Sequence, residues 1–197
     1  MPYDPARNYR RSIRLKGYDY GQVGAYFVTI CVYNRECLFG EVRDGTVVPS
    51  PFGRLVDDCW SALARHFEDV ELDVFVVMPN HVHGIIVIMD GSGEAFADRF
   101  KEDGCIVPAN ASPLRSPPSP PRGTHSGSLG AIIQTFKSVS ARRIKRVCPS
   151  RNASLWQRNY YERIVRDEDE LNDIRRYIIE NPLRWELDEN NLSRSCG

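Results

Sequence analysis

The 197-residue sequence predicts an α+β sandwich, with a mostly antiparallel sheet and helices gathered on one face. Short β-branched segments alternate with turn signals, which is typical of β-hairpins. Between and after them, apolar residues recur at helical spacing, which is typical of amphipathic helices packed on a sheet. With 42% hydrophobic and 26% charged residues, residues 1–197 have the composition of one globular domain.

The strands are predicted in three places. Residues 25–32 are β-branched and aromatic, which predicts a central strand. Residues 38–48 contain an Asp-Gly turn signal in their middle, which predicts a β-hairpin. Residues 72–89 are too long and too β-branched for one strand, and a Pro-Asn turn divides them into a second β-hairpin.

Three helices complete the predicted fold. Residues 52–67 and residues 129–147 each carry one apolar stripe at helical spacing. A third helix is expected from Asp167, which can cap it together with Glu170, to the residue before Pro182. The chain order is therefore strand, hairpin, helix, hairpin, helix, helix.

The segment from about residue 90 to residue 128 is rich in Pro, Ser and Gly. It has too few apolar groups to offset the entropy of ordering, and we expect a disordered insertion within the single domain. The six cysteines are scattered without a C-x-x-C pair, which is typical of reduced thiols. No run approaches the roughly 18 apolar residues of a membrane span, so a cytoplasmic protein is expected.

The formal net charge of zero conceals two basic segments. One lies near the N-terminus, and the other, residues 128–161, contains lysine and arginine but no acid. Such segments are typical of polyanion-binding surfaces, although solvated helix faces with counter-charges nearby in space explain them equally well. The candidate residues for contact with a polyanion such as DNA are Arg10, Arg11, Arg14, Lys137, Arg142, Arg143, Arg158 and Tyr160.

A candidate catalytic site is formed by two histidines and two residues of the last helix. His81 and His83 share one face of a strand because they are two apart, and imidazole is the commonest protein ligand for divalent metals. Tyr177 and Asn181 lie ~40° apart on the helix, beside its buried stripe. A divalent ion held by His81, His83 and Asn181 can bind a phosphate oxygen while Tyr177 attacks the phosphorus.

Each of these elements has a structural alternative. A His-x-His pair on a strand is often incidental, and Tyr177 can be a tyrosine at the edge of the core. Tyr160 and Tyr161 are rival nucleophiles, interpreted as strand or DNA-stacking residues because no amide ligand lies near them in sequence. The group that activates Tyr177 stays open among Arg175, Arg176 and the metal.

Three motifs resemble a known family. The runs MPNHVHG at 78–84, LWQRNYYERIVR at 155–166 and YIIENP at 177–182 closely resemble the REP-associated tyrosine transposases. These belong to the single-tyrosine HUH transposases, which act on single-stranded DNA. With residues 11–19, the resemblance covers nearly the whole chain apart from the insertion, which departs from the family pattern.

The resemblance implies a ferredoxin-like, HUH-endonuclease-like fold, Mg²⁺ or Mn²⁺ as cofactor, and cleavage of single-stranded DNA beside a hairpin or palindromic repeat. Tyr177 would become linked to the 5′-phosphate, with His81, His83 and Asn181 as metal ligands. A nucleoid-associated protein is implied, either monomer or homodimer. Two alternatives stay open: a catalytically silent regulatory protein that binds DNA hairpins, and a metal phosphoesterase unrelated to DNA.

Overall fold

A computed structural model describes residues 19–89, 127–151, 153–188 and 190–191. Its centre is a four-stranded sheet in which every neighbouring pair is antiparallel, in the order β4-β5-β1-β6. The strands of this sheet are β1 (Gly24–Cys31), β4 (Val70–Met78), β5 (His81–Ile88) and β6 (Tyr161–Val165). The α+β class and the antiparallel sheet predicted from the sequence are confirmed.

Both predicted β-hairpins form. β4 and β5 are joined through Pro79 and Asn80, as the Pro-Asn turn predicted. β2 (Gly40–Arg43) and β3 (Thr46–Pro49) form a separate two-stranded sheet. Their turn residues Asp44 and Gly45 have φ angles of 49° and 71°, the left-handed conformation that a tight hairpin turn requires.

The described residues form four α-helices, because the single helix predicted at 52–67 is divided into two at Ala62. These helices are α1 (Pro51–Ser61), α2 (Leu63–His66), α3 (Leu129–Val147) and α4 (Glu168–Glu180). Asp167 Oδ1 accepts a hydrogen bond from the Glu170 amide and caps α4. The chain then continues as a 3₁₀ helix, Asn181–Leu187, so Pro182 ends the α-helix without ending helical turns.

The larger core lies between the sheet and α1 and α3, and we call this side of the sheet the packing face. Trp60 of α1 and Phe136 of α3 meet edge to face there, with ring centroids 5.2 Å apart. Gly84 of β5 makes this approach possible, because a Cβ atom at that position would lie 2.3 Å from Trp60 Cζ2. The packing face therefore depends on a glycine where most strand residues carry a side chain.

The prediction that the helices gather on one face is wrong. α4 covers the opposite side of the sheet, which we call the histidine face, through Leu171, Ile174 and Ile178. The physical reason lies in β1, which places Tyr26 on the packing face and Phe27 on the histidine face. Because both faces of the sheet are apolar, helices pack on both faces and bury them.

Several predicted features lie outside the described residues. They are the DNA-binding candidates Arg10, Arg11 and Arg14 and all but the last residues of the insertion predicted at about 90–128. Among the described helices, none is long and apolar enough to cross a membrane.

Candidate active site

His81 and His83 lie together at the start of β5, on the histidine face. His81 pairs across the sheet with Met78 of β4, and His83 pairs with Thr29 of β1. Both side chains are buried, and their Nε2 atoms are 2.9 Å apart. The two imidazoles therefore share one face of the strand, as their spacing predicted.

The amide of Asn80 determines which nitrogen of His81 carries the hydrogen. Asn80 Nδ2 donates to the carbonyl oxygens of Arg35 and Asn190, at 3.0 and 2.7 Å. Its Oδ1 atom, which can only accept, lies 2.8 Å from His81 Nδ1. The hydrogen of the neutral ring is therefore on Nδ1, and the lone pair of Nε2 points into the site.

His83 is oriented by Thr29, whose hydroxyl oxygen lies 2.9 Å from His83 Nδ1. A hydroxyl donates or accepts, so it accommodates either tautomer of His83. Burial lowers the pKa of His83 to about 4, although the nearby Asp188 opposes the shift. Burial, His83 and Arg35 hold the pKa of His81 well below its usual range. Both imidazoles are thus neutral at pH 7, the state in which they bind metals.

Tyr177 reaches the histidines from α4. Its hydroxyl oxygen lies 3.4 Å from His83 Nε2, and the two ring centroids are 5.2 Å apart. The side chain is 41% exposed, so a large substrate can reach the hydroxyl. Of the two arginines considered as activators, Arg175 binds both oxygens of Asp73 on β4. Arg176 is exposed and lies 3.9 Å from the exposed Asp173.

Asp188 is a site residue that sequence reasoning missed. Its Oδ1 accepts hydrogen bonds from the backbone and side-chain amides of Asn190, at 2.6 and 2.9 Å. Its buried Oδ2 has no hydrogen-bond partner within the described residues and lies 3.8 Å from His81 Nε2. His81, His83 and Asp188 each offer one ligand atom, and these atoms lie within 4.8 Å of one another. An acidic residue beyond Pro182 was the only sequence signal.

Asn181, the third ligand predicted from the sequence, lies at the junction of α4 and the 3₁₀ helix. It is 3% exposed, and its Oδ1 atom accepts no hydrogen bond within the part of the chain that the structure describes. A buried amide oxygen without a donor is chemically suited to bind a divalent metal ion. Its role as a metal ligand stays a prediction, and Asp188 is the alternative.

The donor set fits a divalent metal ion. Two neutral imidazole nitrogens and a carboxylate oxygen converge, and the carboxylate oxygen has no competing hydrogen bond among the described residues. This two-histidine, one-carboxylate combination is a recurrent divalent-metal site with open positions. Asn80 and Thr29 supply the outer hydrogen bonds that orient such ligands.

The other predicted DNA-binding residues lie on α3 and the segment after it, on the packing face. Lys137 Nζ donates to the carbonyl oxygens of Gln157 and Asn159, at 2.9 and 3.0 Å, and lies 5.4 Å from the Tyr160 ring centroid. Burial lowers the pKa of Lys137 to about 8. Lys137 therefore ties α3 to the following segment. The exposed candidates of this group are Arg142, Arg143 and Arg158.

Comparisons with known proteins identify the family of the chain. Residues 123–181 match the model of the family described as transposase, IS200-like. An uncharacterized protein of Haemophilus influenzae is 38% identical over 187 residues, 95% of this chain and 96% of that protein. The chain belongs to the IS200-like transposase family, which confirms the resemblance found in its motifs and supports a transposase-type role on DNA.

A solved structure shows the same fold. The structure of a REP-associated tyrosine transposase bound to a REP hairpin matches this one with a TM-score of 0.55. The match covers 90% of this chain and 77% of that chain, at 14% sequence identity. At this identity the likeness concerns the fold alone.

Proposed function

We propose that this protein cleaves and rejoins single-stranded DNA beside hairpins, with Tyr177 as the nucleophile. The observation that carries the proposal is the position of the Tyr177 hydroxyl, 3.4 Å from His83 Nε2 at the edge of the His81, His83 and Asp188 group. A nucleophile beside a group of metal-ligating side chains is an arrangement that suits phosphoryl transfer. The hairpin-bound relative of the same fold supports DNA hairpins as the partner.

The ligands of the proposed metal are His81, His83 and a third group, which is Asp188 or the sequence-predicted Asn181. A bound Mg²⁺ or Mn²⁺ ion would act there as a Lewis acid on a non-bridging phosphate oxygen. Asn80 and Thr29 contact the Nδ1 atoms of the two imidazoles, which leaves both Nε2 atoms as the nitrogens that would bind the ion. The low pKa of His83, about 4, keeps this ligand free of a competing charge at neutral pH.

The covalent step exchanges one phosphate ester for another. Tyr177 Oη attacks the phosphorus and forms a P–O bond, while the bond from phosphorus to the 3′-oxygen breaks. The phenolic proton passes to water, which can reach this 41% exposed side chain, and the departing 3′-oxygen takes up a proton. The products are a 5′-phosphotyrosine and a free 3′-hydroxyl.

The ester energy is kept in the phosphotyrosine, so a second 3′-hydroxyl can reverse the step and join a new strand. Strand transfer follows from this chemistry more readily than hydrolysis. A phenol has a pKa near 10 and is mostly protonated at pH 7. Arg175 is held by Asp73, so Arg176 and a bound ion stay open among the activators considered from the sequence.

The test is a denaturing gel of labelled single-stranded hairpin DNA incubated with the protein and Mn²⁺. The wild-type protein should give a slowly migrating covalent adduct, and Tyr177→Phe should give none while binding the DNA normally. Tyr161→Phe is the matched control, because it removes a tyrosine hydroxyl two strands away from His83. This variant should still form the adduct. An adduct that persists in Tyr177→Phe would overturn the assignment. Binding without any adduct in the wild type would identify a silent DNA-binding protein.

A further inference from the structure

A cleft of about 600 Å³ opens beside Tyr177 on the histidine face. It lies between β6, the edge strand of the sheet, and α4. This volume is in the range of sites that bind small molecules. Its wall includes Tyr177 itself, so a group bound there is adjacent to the proposed nucleophile. The residues that matter to the argument are Phe27, Tyr161, Arg163, Glu170, Ile174 and Tyr177.

The walls of the cleft are aromatic. Phe27 is buried at the base, and its ring meets the rings of Tyr161 and Tyr177 edge to face, at centroid distances of 6.2 and 6.0 Å. Tyr161 and Tyr177 are 49% and 41% exposed. Two exposed phenol rings thus stand on either side of a buried phenyl ring. This arrangement offers flat apolar surface on which a planar ligand can stack.

Carboxylates outnumber arginines among the charged residues that line the cleft, which are Arg163, Arg166, Asp167, Glu170 and Asp173. Arg163 forms an ion pair with Glu170, which also accepts a hydrogen bond from the backbone amide of Arg166 at 2.8 Å. Asp167 caps α4, and Asp173 faces a neighbouring arginine. Because carboxylates line the cleft beside the arginines, it is poorly suited to a phosphate group. A neutral ring suits it better.

The strand register determines how far Tyr161 lies from His83. It pairs with Thr29 of β1, which pairs in turn with His83 of β5, so Tyr161 and His83 are two strands apart. Neighbouring strands lie about 4.8 Å apart, so their backbones are separated by about 10 Å. The backbone of Tyr161 therefore lies about 10 Å from that of His83, whereas the side chain of Tyr177 contacts His83 directly.

We propose that this cleft holds an unpaired nucleobase of the substrate strand, next to the phosphate that Tyr177 attacks, and that Tyr161 is the ring on which the base stacks. The proposal rests on the proposed function for its choice of ligand. It makes Tyr161 a residue that positions the DNA strand, in contrast to its alternative role as a second nucleophile. Stacking accepts any base, so the cleft fixes the position of the strand more than its sequence.

The test measures DNA binding and single-turnover cleavage for Tyr161→Ala and Tyr161→Phe. Tyr161→Ala should weaken binding of single-stranded hairpin DNA about tenfold, the range expected for loss of one base-stacking contact. Tyr161→Phe keeps the ring and should bind like the wild type. Tyr33→Ala, which removes an exposed tyrosine outside the cleft, is the matched control and should have no effect.

An abasic substitution, moved one nucleotide at a time along the DNA, locates the base. At one position beside the cleaved phosphate, the abasic strand should bind the wild type about tenfold more weakly, and Tyr161→Ala should add nothing further. If Tyr161→Ala causes the same additional loss of DNA affinity at every abasic position, the proposal is overturned. A Tyr161→Phe variant as defective as Tyr161→Ala would also overturn it, as would a Tyr161→Ala variant whose only change is in self-association measured by light scattering.

Failure of the proposed cleavage activity and failure of the proposed base-binding cleft give different results in these experiments. If the wild-type protein binds the hairpin DNA without cleaving it, the abasic scan still reports whether Tyr161 stacks on a base. If Tyr161→Ala has no effect on binding while Tyr177→Phe abolishes the adduct, the nucleophile stands and the base-binding cleft is refuted.

Discussion

The two faces of the central sheet use the same strands for different purposes. On the packing face, the residues in contact with the helices are large and apolar, with Trp60 and Phe136 at the centre. On the histidine face, a smaller apolar cluster under α4 is followed along β5 by the buried polar pair His81 and His83. Because side chains alternate along β5, the same strand contributes apolar residues to the core on one face and the candidate metal ligands on the other.

The difference indicates where the fold is stabilised and where its chemistry lies. Buried polar groups stabilise a fold little unless each is hydrogen bonded. On the histidine face, Asn80 and Thr29 orient the imidazoles, yet Asp188 Oδ2 and Asn181 Oδ1 have no hydrogen-bond partner within the described residues. Substitutions on the packing face should therefore change stability, and polar substitutions on the histidine face should change metal binding.

The largest effect on stability is expected at Trp60. This side chain is fully buried against Gly84 and Phe136, so Trp60→Ala should lower the free energy of unfolding by about 3–5 kcal/mol, measured by urea denaturation. Ile179→Ala, at an exposed position of α4, should change it by less than about 0.5 kcal/mol. A loss below about 1 kcal/mol for Trp60→Ala would contradict the packing described for this face.

The next effect concerns the third metal ligand. Asp188→Asn removes the charged oxygen nearest to His81 and should weaken Mn²⁺ binding about 100-fold, or ~2.7 kcal/mol, by isothermal titration calorimetry. The fold should stay intact, and Asp69→Asn, at an exposed carboxylate, serves as the control. If Asn181→Ala weakens binding more than Asp188→Asn, then Asn181 is the third ligand, as its place after Tyr177 predicted.

A smaller effect is expected at Thr29. Thr29→Val has nearly the same shape but lacks the hydroxyl beside His83 Nδ1, so Mn²⁺ affinity should fall about tenfold. The same substitution on the packing face, Thr135→Val in α3, should leave the affinity unchanged. Equal affinities for Thr29→Val and the wild type would show that Thr29 does not orient the ligand.

The smallest effect is expected at the ion pair between Asp73 of β4 and Arg175 of α4. Asp73→Asn weakens a half-buried contact and should destabilise α4 by about 1 kcal/mol. Amide hydrogen exchange should then accelerate about fivefold in α4 and remain unchanged in α3. Uniform acceleration in both helices would mean that the pair stabilises the whole fold and not the attachment of α4.

The sequence predicted the elements that local patterns determine. The turn at Pro79 and Asn80, the Asp167 cap and the shared face of His81 and His83 each depend on residues close together in the chain. Such patterns are sufficient for hairpins and caps. Most of the secondary-structure elements were therefore predictable, and with them the face of β5 that carries the histidines. The strand β6 was absent from the predicted order, since Tyr160 and Tyr161 were interpreted as either strand or DNA-stacking residues.

Long-range features were not predictable in the same way. The position of α4 on the opposite face depends on which side of β1 each helix covers, and no local period encodes that choice. Asp188 follows the 3₁₀ helix, at a point where helical periodicity has already ended. No sequence pattern therefore predicted that its carboxylate lies close to His81. The carbonyl partners of Lys137 lie some twenty residues away in the chain, so no local pattern indicated that this side chain joins α3 to the following segment. Its contact with DNA stays a prediction.

The most direct test of the account identifies the tyrosine that becomes bonded to DNA. Trypsin cleaves after Arg163 and Arg176, so Tyr177 and the pair Tyr160 and Tyr161 fall in separate peptides. After reaction with single-stranded hairpin DNA and Mn²⁺ and nuclease trimming, mass spectrometry should find a 5′-nucleotide on the Tyr177 peptide alone. A nucleotide on the peptide that contains Tyr160 and Tyr161 would contradict the assignment of Tyr177 as the nucleophile.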